Sequence, residues 1–196
     1  EDTVKALSKH TQNEKFAYDS YRRFIQMFGN VVMNIDKEKF DEIFEAEKKA
    51  KGIEEDMDLD IRSLKEIVNK FKELYKKETN YGFPKDPKDQ LLLSIEAVFK
   101  SWNTERAIIY RRMNNISDKL GTAVNIQTMV FGNLGEDCGT GVAFTRNPAT
   151  GEKKLYGEFL INAQGEDVVA GIRTPLNIEK LKGIMPKIYE EFAKTA

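Results

Sequence analysis

Apolar residues recur every three to four positions along roughly the first hundred residues, and every second position from Gly121 onward. This change of period divides the chain into a helical part and a strand-bearing part. Phe16, Tyr18, Tyr21, Phe24, Ile25 and Phe28 share one helical face, with Asp19 and Ser20 offering capping groups near the start and Gly29-Asn30 a stop or bend. In DKEKFDEIFEAEKKAKG, Asp36 is the expected N-cap, Phe40, Ile43 and Phe44 form the apolar stripe, and Gly52 closes the helix. DIRSLKEIVNKFKELYKKE places Ile61, Leu64, Ile67, Val68, Phe71, Leu74 and Tyr75 on one stripe, with lysines and glutamates opposite. NYGFPKDP interrupts this pattern with Gly82, Pro84 and Pro87. A helix through DQLLLSIEAVFKSW follows, and Asn103-Thr104 caps another, ERAIIYRRMNN.

Three segments then alternate. TAVNIQTMVFG sets Val124, Ile126, Thr128 and Val130 on one side. GTGVAFTRN sends Val142 and Phe144 to one face and Ala143 and Thr145 to the other, and LYGEFLINAQ separates Leu155, Phe159 and Ile161 from Tyr156, Glu158 and Leu160. The loop 147–154 joins the last two as a hairpin, with Pro148 and Gly151 in the turn. The tail KLKGIMPKIYEEFAK reads as a helix broken or begun near Pro186. The expected fold class is α+β, a helical subdomain followed by a β-rich lobe.

Composition narrows the possibilities. The 196 residues suffice for one domain or two small ones, and 40% hydrophobic with 32% charged residues suits an ordinary soluble globular protein. A net charge of −1 supplies no global field toward nucleic acid or an anionic membrane, so neither is expected as a partner. The one cysteine, Cys138, cannot form an internal disulfide, and no Cys/His spacing suits zinc, so a reducing, cytoplasmic setting is expected. No transmembrane run or signal peptide is evident. The chain starts at Glu1 and ends at Ala196, which suggests a piece of something longer.

Four features could carry chemistry. Gly132, Gly135, Gly139 and Gly141 fall within ten positions, where bare backbone can either form a bulged hairpin or cradle phosphate oxygens. No Gly-Lys-Ser/Thr follows, which excludes a P-loop. IQTMVFG could place backbone partners and the flat side of Met129 and Val130 against adenine, or fill a core. Glu166-Asp167 could meet a ribose hydroxyl or Mg²⁺, or start a helix. His10, the only histidine, reads as a surface residue, and with it alone most hydrolase schemes are excluded. Trp102 reads as core, Arg111 and Arg112 as a solvated helix end, and Cys138 lacks a nearby base.

YDSYRRFIQMFGNVVM (18–33), AIIYRRMNNI (107–116), NIQTMVFGN (125–133) and GTGVAFTRNPATGEKKLYGEFLINAQGEDVVAGIRTP (139–175) together resemble the pyruvate, phosphate dikinase family over nearly the whole chain. The resemblance is weakest across the charged helices near 36–82. It implies an interior piece of an ATP-grasp nucleotide-binding region, with residues 1–84 as a helical insertion subdomain and 85–196 as hinge and second lobe. It implies ATP, with Mg²⁺ in the full-length enzyme, as cofactors. Gln127, Thr128, Met129 and Val130 correspond to the hinge against adenine, Gly139, Thr140 and Gly141 to a step beside the nucleotide, and Glu166 to a position near its sugar.

The family interconverts ATP, phosphate and pyruvate with AMP, diphosphate and phosphoenolpyruvate through a phosphohistidine on another domain and a barrel on a third. The implied partners are those domains, in a parent expected to be a homodimer. The family's phosphate-binding Lys and Arg, its metal-binding carboxylate, its Ser-His motif and its barrel have no counterpart in 1–196, so no catalytic or metal residue is assigned and the chain alone is expected to be inactive. Two other readings stay open: a helical interaction module, and the matching piece of a phosphoenolpyruvate synthase.

Overall fold

The structure, a computed structural model, describes residues 2–169 and 173–195. The expectations drawn at Glu1 and Ala196, and the part of the 139–175 motif at residues 170–172, lie outside the described residues. By packing, the chain divides into two compact units, one up to Ile126 and one from Gln127. The sequence-derived boundary at 84/85 concerns family architecture, a different question from packing.

The first unit is helical throughout. Its elements are α1 (Asp2–Thr11), α2 (Glu14–Met27), a π turn (Phe28–Val32), α3 (Lys37–Lys51), α4 (Ile61–Thr79), α5 (Pro87–Ser101) and α6 (Glu105–Met113). Side-chain caps start these helices. Asn13 accepts from Phe16 N at 3.0 Å, Asp36 from Glu38 N at 3.1 Å, Asp60 from Ser63 N at 2.7 Å, Asp86 from Lys88 N at 2.8 Å, and Thr104 from Ala107 N at 3.4 Å. Gly52 and Asn80, in the left-handed region at φ 66° and 62°, end α3 and α4.

The α2 and α4 stripes face one another and bury Ile25, Phe28, Leu64, Ile67, Phe71 and Tyr75 with Phe40 and Phe44 of α3. Phe83, in the turn after α4, brings this cluster together. Its ring centroid lies 5.1 Å from Tyr75, 5.4 Å from Phe28, 5.8 Å from Phe24 and 6.4 Å from Tyr21, edge-on in each case. Phe40 meets Phe71 edge-on at 5.0 Å, and a Cβ on Gly29 would sit 2.5 Å from Phe40 Cζ. That approach explains a glycine in the middle of a helical run.

Several expectations for this unit change. Asn13, not Asp19 or Ser20, caps α2, because Asp19 is committed to Arg22 at 2.6 Å and Arg23 at 3.0 Å. Gly29-Asn30 does not stop the helix, which continues as the π turn to Val32. Arg111 is not a solvated helix end. It is 4% exposed, stacked 4.1 Å over Trp102 and bonded to Asp118 at 2.7 Å, while Trp102 itself is half-buried beneath it.

The second unit holds a three-stranded antiparallel sheet in the order β1 (Gly139–Phe144), β2 (Tyr156–Ile161), β3 (Leu176–Asn177). The short helices α7 (Gly165–Val169) and α8 (Leu181–Ile184) and the terminal α9 (Pro186–Thr195) complete it. The expected hairpin forms with Thr140 opposite Leu160, Val142 opposite Glu158 and Phe144 opposite Tyr156. Its loop closes on itself: Asn147 N donates to Glu152 O at 3.0 Å, Gly151 N to Asn147 O at 2.8 Å, and Gly151 takes φ 75°. A small core forms where Phe159 meets Ile178 and Leu181. Chemistry and chain order together make the fold class α+β.

The strand expected across 122–132 is absent. Residues 121–131 take no regular secondary structure, and Ile126, Met129 and Val130 are 67%, 56% and 87% exposed. A strand needs a neighbouring backbone to bond with, and among the described residues none bonds to 122–130.

Burial pushes the Asp19 carboxyl up, but Arg22 and Arg23 more than reverse this and hold it below its ordinary value of 3.8. A carboxylate depressed in the folded state contributes stability above its unfolded pKa and loses it as pH falls through the folded one. Asp19→Asn is therefore expected to lower stability at pH 7 by about 1–3 kcal/mol. Urea denaturation should show the gap between the variant and the parent chain closing as pH drops below the ordinary carboxylate range, because the parent loses the ion pairs there and the variant has none to lose.

Candidate functional site

The residues singled out by sequence fall around one end of the hairpin in the second unit. Gly139, Thr140 and Gly141 open β1, and α7, which carries Glu166, packs against β1 and β2. A Cβ on Gly165 would lie 4.0 Å from Thr140 Oγ1, so Thr140 and the start of α7 are neighbours. Leu160, opposite Thr140, is buried on that same face. The structure thus brings Thr140 and the Gly165-Glu166 step together. Gln127 to Val130 precede this cluster as exposed, irregular chain.

The glycines have a reason within the chain itself. A Cβ on Gly132 would stand 2.3 Å from Ala163 O and 2.7 Å from Gly139 O. On Gly139 it would stand 2.7 Å from Leu160 O, and on Gly141 2.6 Å from Glu158 O. Backbone presses on backbone at each position, which only glycine permits. β1 is also an edge strand, so its outward backbone groups have no partner within the sheet.

Sequence reasoning missed the polar network behind this step. Asn162 takes φ 48°, and its backbone N–H donates to Cys138 O at 2.9 Å. The Asn162 side chain donates to Glu136 Oε1 at 2.9 Å, and Gln164 Nε2 to Asn133 Oδ1 at 3.1 Å. Ala163 N donates to Gly132 O at 3.0 Å, and Arg173 Nη1 to the carbonyls of Ile161 and Asn162, each at 3.1 Å. Gln164 N donates to Asp167 Oδ2 at 2.8 Å, so Asp167 reaches back to the start of α7. The helix-start reading of Glu166-Asp167 holds for Asp167, which is buried. The one signal in the sequence was Asn162 before Ala-Gln-Gly, since Asn tolerates the left-handed region.

Burial pushes the Cys138 thiol up, and Asp137, 3.5 Å away, pushes it further, which suits a packed residue and not a nucleophile. Among the described residues no group of three or more His, Cys, Asp and Glu gathers to hold a metal. The residues present therefore do not themselves make a Mg²⁺ site, and no step is derived through one. Adenine fits better: Met129 and Val130 present exposed apolar surface on backbone whose N–H and C=O groups are uncommitted. A groove of about 550 Å³ lies elsewhere, among Met33, Tyr75, Tyr81, Pro84, Leu92 and Glu96 of the helical unit, and includes none of the candidates. No helix among the described residues is long and apolar enough to cross a membrane.

Residues 83–191 match the family model described as pyruvate phosphate dikinase, AMP/ATP-binding domain. Pyruvate, phosphate dikinase of Clostridium symbiosum is 58% identical over 194 residues, covering 98% of this chain and 22% of that protein. The chloroplastic pyruvate, phosphate dikinase 1 of Oryza sativa subsp. japonica is 56% identical over 193 residues, covering 98% and 20%. That of Arabidopsis thaliana is 58% identical over 181 residues, covering 92% and 19%. The chain thus spans about a fifth of the length of these relatives.

Gly132→Ala is expected to destabilise the second unit by about 1–3 kcal/mol, because the added methyl meets two carbonyl oxygens that cannot rotate away. Gly183→Ala, in α8 with nothing within 4 Å of its Cβ, should be neutral or stabilising. Thermal melts of the two variants followed by near-ultraviolet circular dichroism check the contrast.

Proposed function

This chain belongs to the family of the pyruvate, phosphate dikinase AMP/ATP-binding domain, and from that premise we propose that it forms part of the ATP-binding region of a dikinase. The full-length enzyme would interconvert ATP, phosphate and pyruvate with AMP, diphosphate and phosphoenolpyruvate. The observation that carries the reading is the family match over 83–191, which contains every candidate residue. Its start at residue 83 also supports dividing the chain into a helical insertion, 1–84, and a nucleotide-binding part, 85–196, built as hinge and second lobe of an ATP-grasp region.

Within that reading Gln127, Thr128, Met129 and Val130 offer adenine its edge partners and one apolar face. Gly139, Thr140 and Gly141 pass beside the nucleotide, and Glu166 faces the sugar from the neighbouring helix start. Bound ATP brings the phosphoanhydride and its accompanying Mg²⁺. The residues named here bind and orient, because phosphoryl transfer depends chiefly on positioning and on charges placed around the phosphates. The phosphohistidine and barrel domains of the same polypeptide, in a homodimer, would supply the rest. One thiol with a raised pKa and no disulfide partner suits a reducing, cytoplasmic compartment.

The test is made in a full-length dikinase carrying this chain. Met129→Asp places a carboxylate against the adenine face and should weaken ATP binding about tenfold or more, equivalent to about 1.4 kcal/mol. Exchange between pyruvate and phosphoenolpyruvate on the already phosphorylated enzyme should not change. An unaltered ATP Kd would sink the adenine assignment. Residues 1–196 alone should release no AMP from ATP, measured by chromatography of the nucleotides.

A further inference from the structure

Residues 121–135 read GTAVNIQTMVFGNLG, fifteen positions without Asp, Glu, Lys, Arg or Pro in a chain that is 32% charged. Charges and prolines are the usual guards on a strand left at an open edge. This stretch has the alternation and the β-branched content of a strand and none of the guards. Yet among the described residues 122–130 bond to no other backbone, and Ile126, Met129 and Val130 stand in solvent. An unguarded, uncharged, strand-forming segment is a template for pairing, and a fold that left it bare would aggregate. Both observations are satisfied if the segment is normally covered.

We propose that residues 122–131 become a β-strand by pairing with a strand supplied by the dikinase polypeptide outside 1–196, and that this pairing sets nucleotide affinity. The second clause rests on the reading of 127–130 as the adenine edge. The occupant is argued from three facts. The relatives match 98% of this chain while it spans only 22% and 20% of their length, so most of the polypeptide that could cover the segment lies elsewhere in them. The segment carries no charge, so it calls for an interior strand of like character and not for a charged surface. Its apolar side chains emerge on both faces, Ile126 and Val130 on one and Met129 on the other, as in a strand buried within a sheet.

The link to affinity is geometric. Adenine's edge needs a backbone N–H and C=O held at strand spacing. An irregular segment must be ordered at the moment of binding, and the apparent affinity falls by the fraction of time it spends ordered.

Amide hydrogen exchange over peptides spanning 122–131 tests this, read by mass spectrometry in residues 1–196 alone and in the full-length polypeptide, with ATP titrated into each. The expected result is near-unprotected exchange in 1–196 and protection of about 100-fold or more in the full-length protein, with ATP bound about 100-fold more weakly by 1–196. Protection in 1–196 at a concentration where sedimentation shows a monomer would overturn the proposal, since the strand would need no outside partner. Protection that appears in 1–196 only as a dimer forms would also overturn it, assigning the edge to a second copy. Absence of protection in both proteins would show that no strand forms. Ile126→Lys separates pairing from general instability: it should leave the melting midpoint of 1–196 unchanged and abolish protection of 122–131 in the full-length protein. If the segment is protected only in the full-length protein while Met129→Asp leaves the ATP Kd unaltered, the pairing stands and the adenine assignment fails.

Discussion

A helix bonds its backbone from within, whereas a strand depends on a neighbour, and this difference governs how completely each part of the chain is built. The first unit meets the requirement locally. Five of its helices carry a side-chain cap at the start, and two end on left-handed residues. The second unit meets it for β1, β2 and β3 and leaves 122–130 unmet. The same chemistry that makes NIQTMVFG read as a strand therefore makes it an exposed loop when no partner backbone is at hand.

In the helical unit, closure depends on one aromatic. Phe83 follows the left-handed Asn80 that ends α4, and the turn carries its ring back onto Tyr75, Phe28, Phe24 and Tyr21. The cluster so formed buries side chains from α2, the π turn, α3 and α4. The π turn belongs to the same solution. Its Gly29 lies so close to the Phe40 ring that a methyl there would overlap it, so the glycine lets α3 approach the end of α2. α5 stands in contrast. It is well capped by Asp86 and begins at Pro87, yet it buries none of its residues, and Leu92 and Phe99 remain exposed. Local chemistry forms that helix, and packing within 1–196 does not explain its apolar residues.

The helical half was legible because its signals are local. Asp36, Gly52 and Thr104 act as the sequence implies, and the stripe Leu64, Ile67, Val68, Phe71 and Tyr75 is buried as its spacing requires. The errors arose where a residue had two possible partners. Asp19 could cap α2 or pair with two arginines one turn on, and the two charges outweigh one N–H. Arg111 could be solvated or could stack on Trp102 and bond Asp118, and the tertiary contact decides. In the β half, the hairpin and its turn were legible from alternation and from Pro148 and Gly151, while the network through Asn133, Glu136, Asn162, Gln164 and Arg173 was not. Those bonds join residues up to 31 positions apart, and period and propensity carry no information about such pairs.

The glycine step illustrates why a bare backbone is weak evidence for a ligand taken alone. Gly139 and Gly141 were open to two explanations, a close strand or a close phosphate, and strand approach accounts for both. The two uses are nevertheless compatible, because they draw on different sides of the same residues. The missing Cβ admits the carbonyls of Leu160 and Glu158 on the β2 side, while the outward backbone edge of β1 has no partner within the sheet. Thr140 lies between the two glycines, with its hydroxyl toward the start of α7. A step that brings β1 tightly onto β2 also holds its free edge in a fixed place. Fixed backbone donors are what a nucleotide site requires, since donors positioned in advance need no reorganisation when charge arrives.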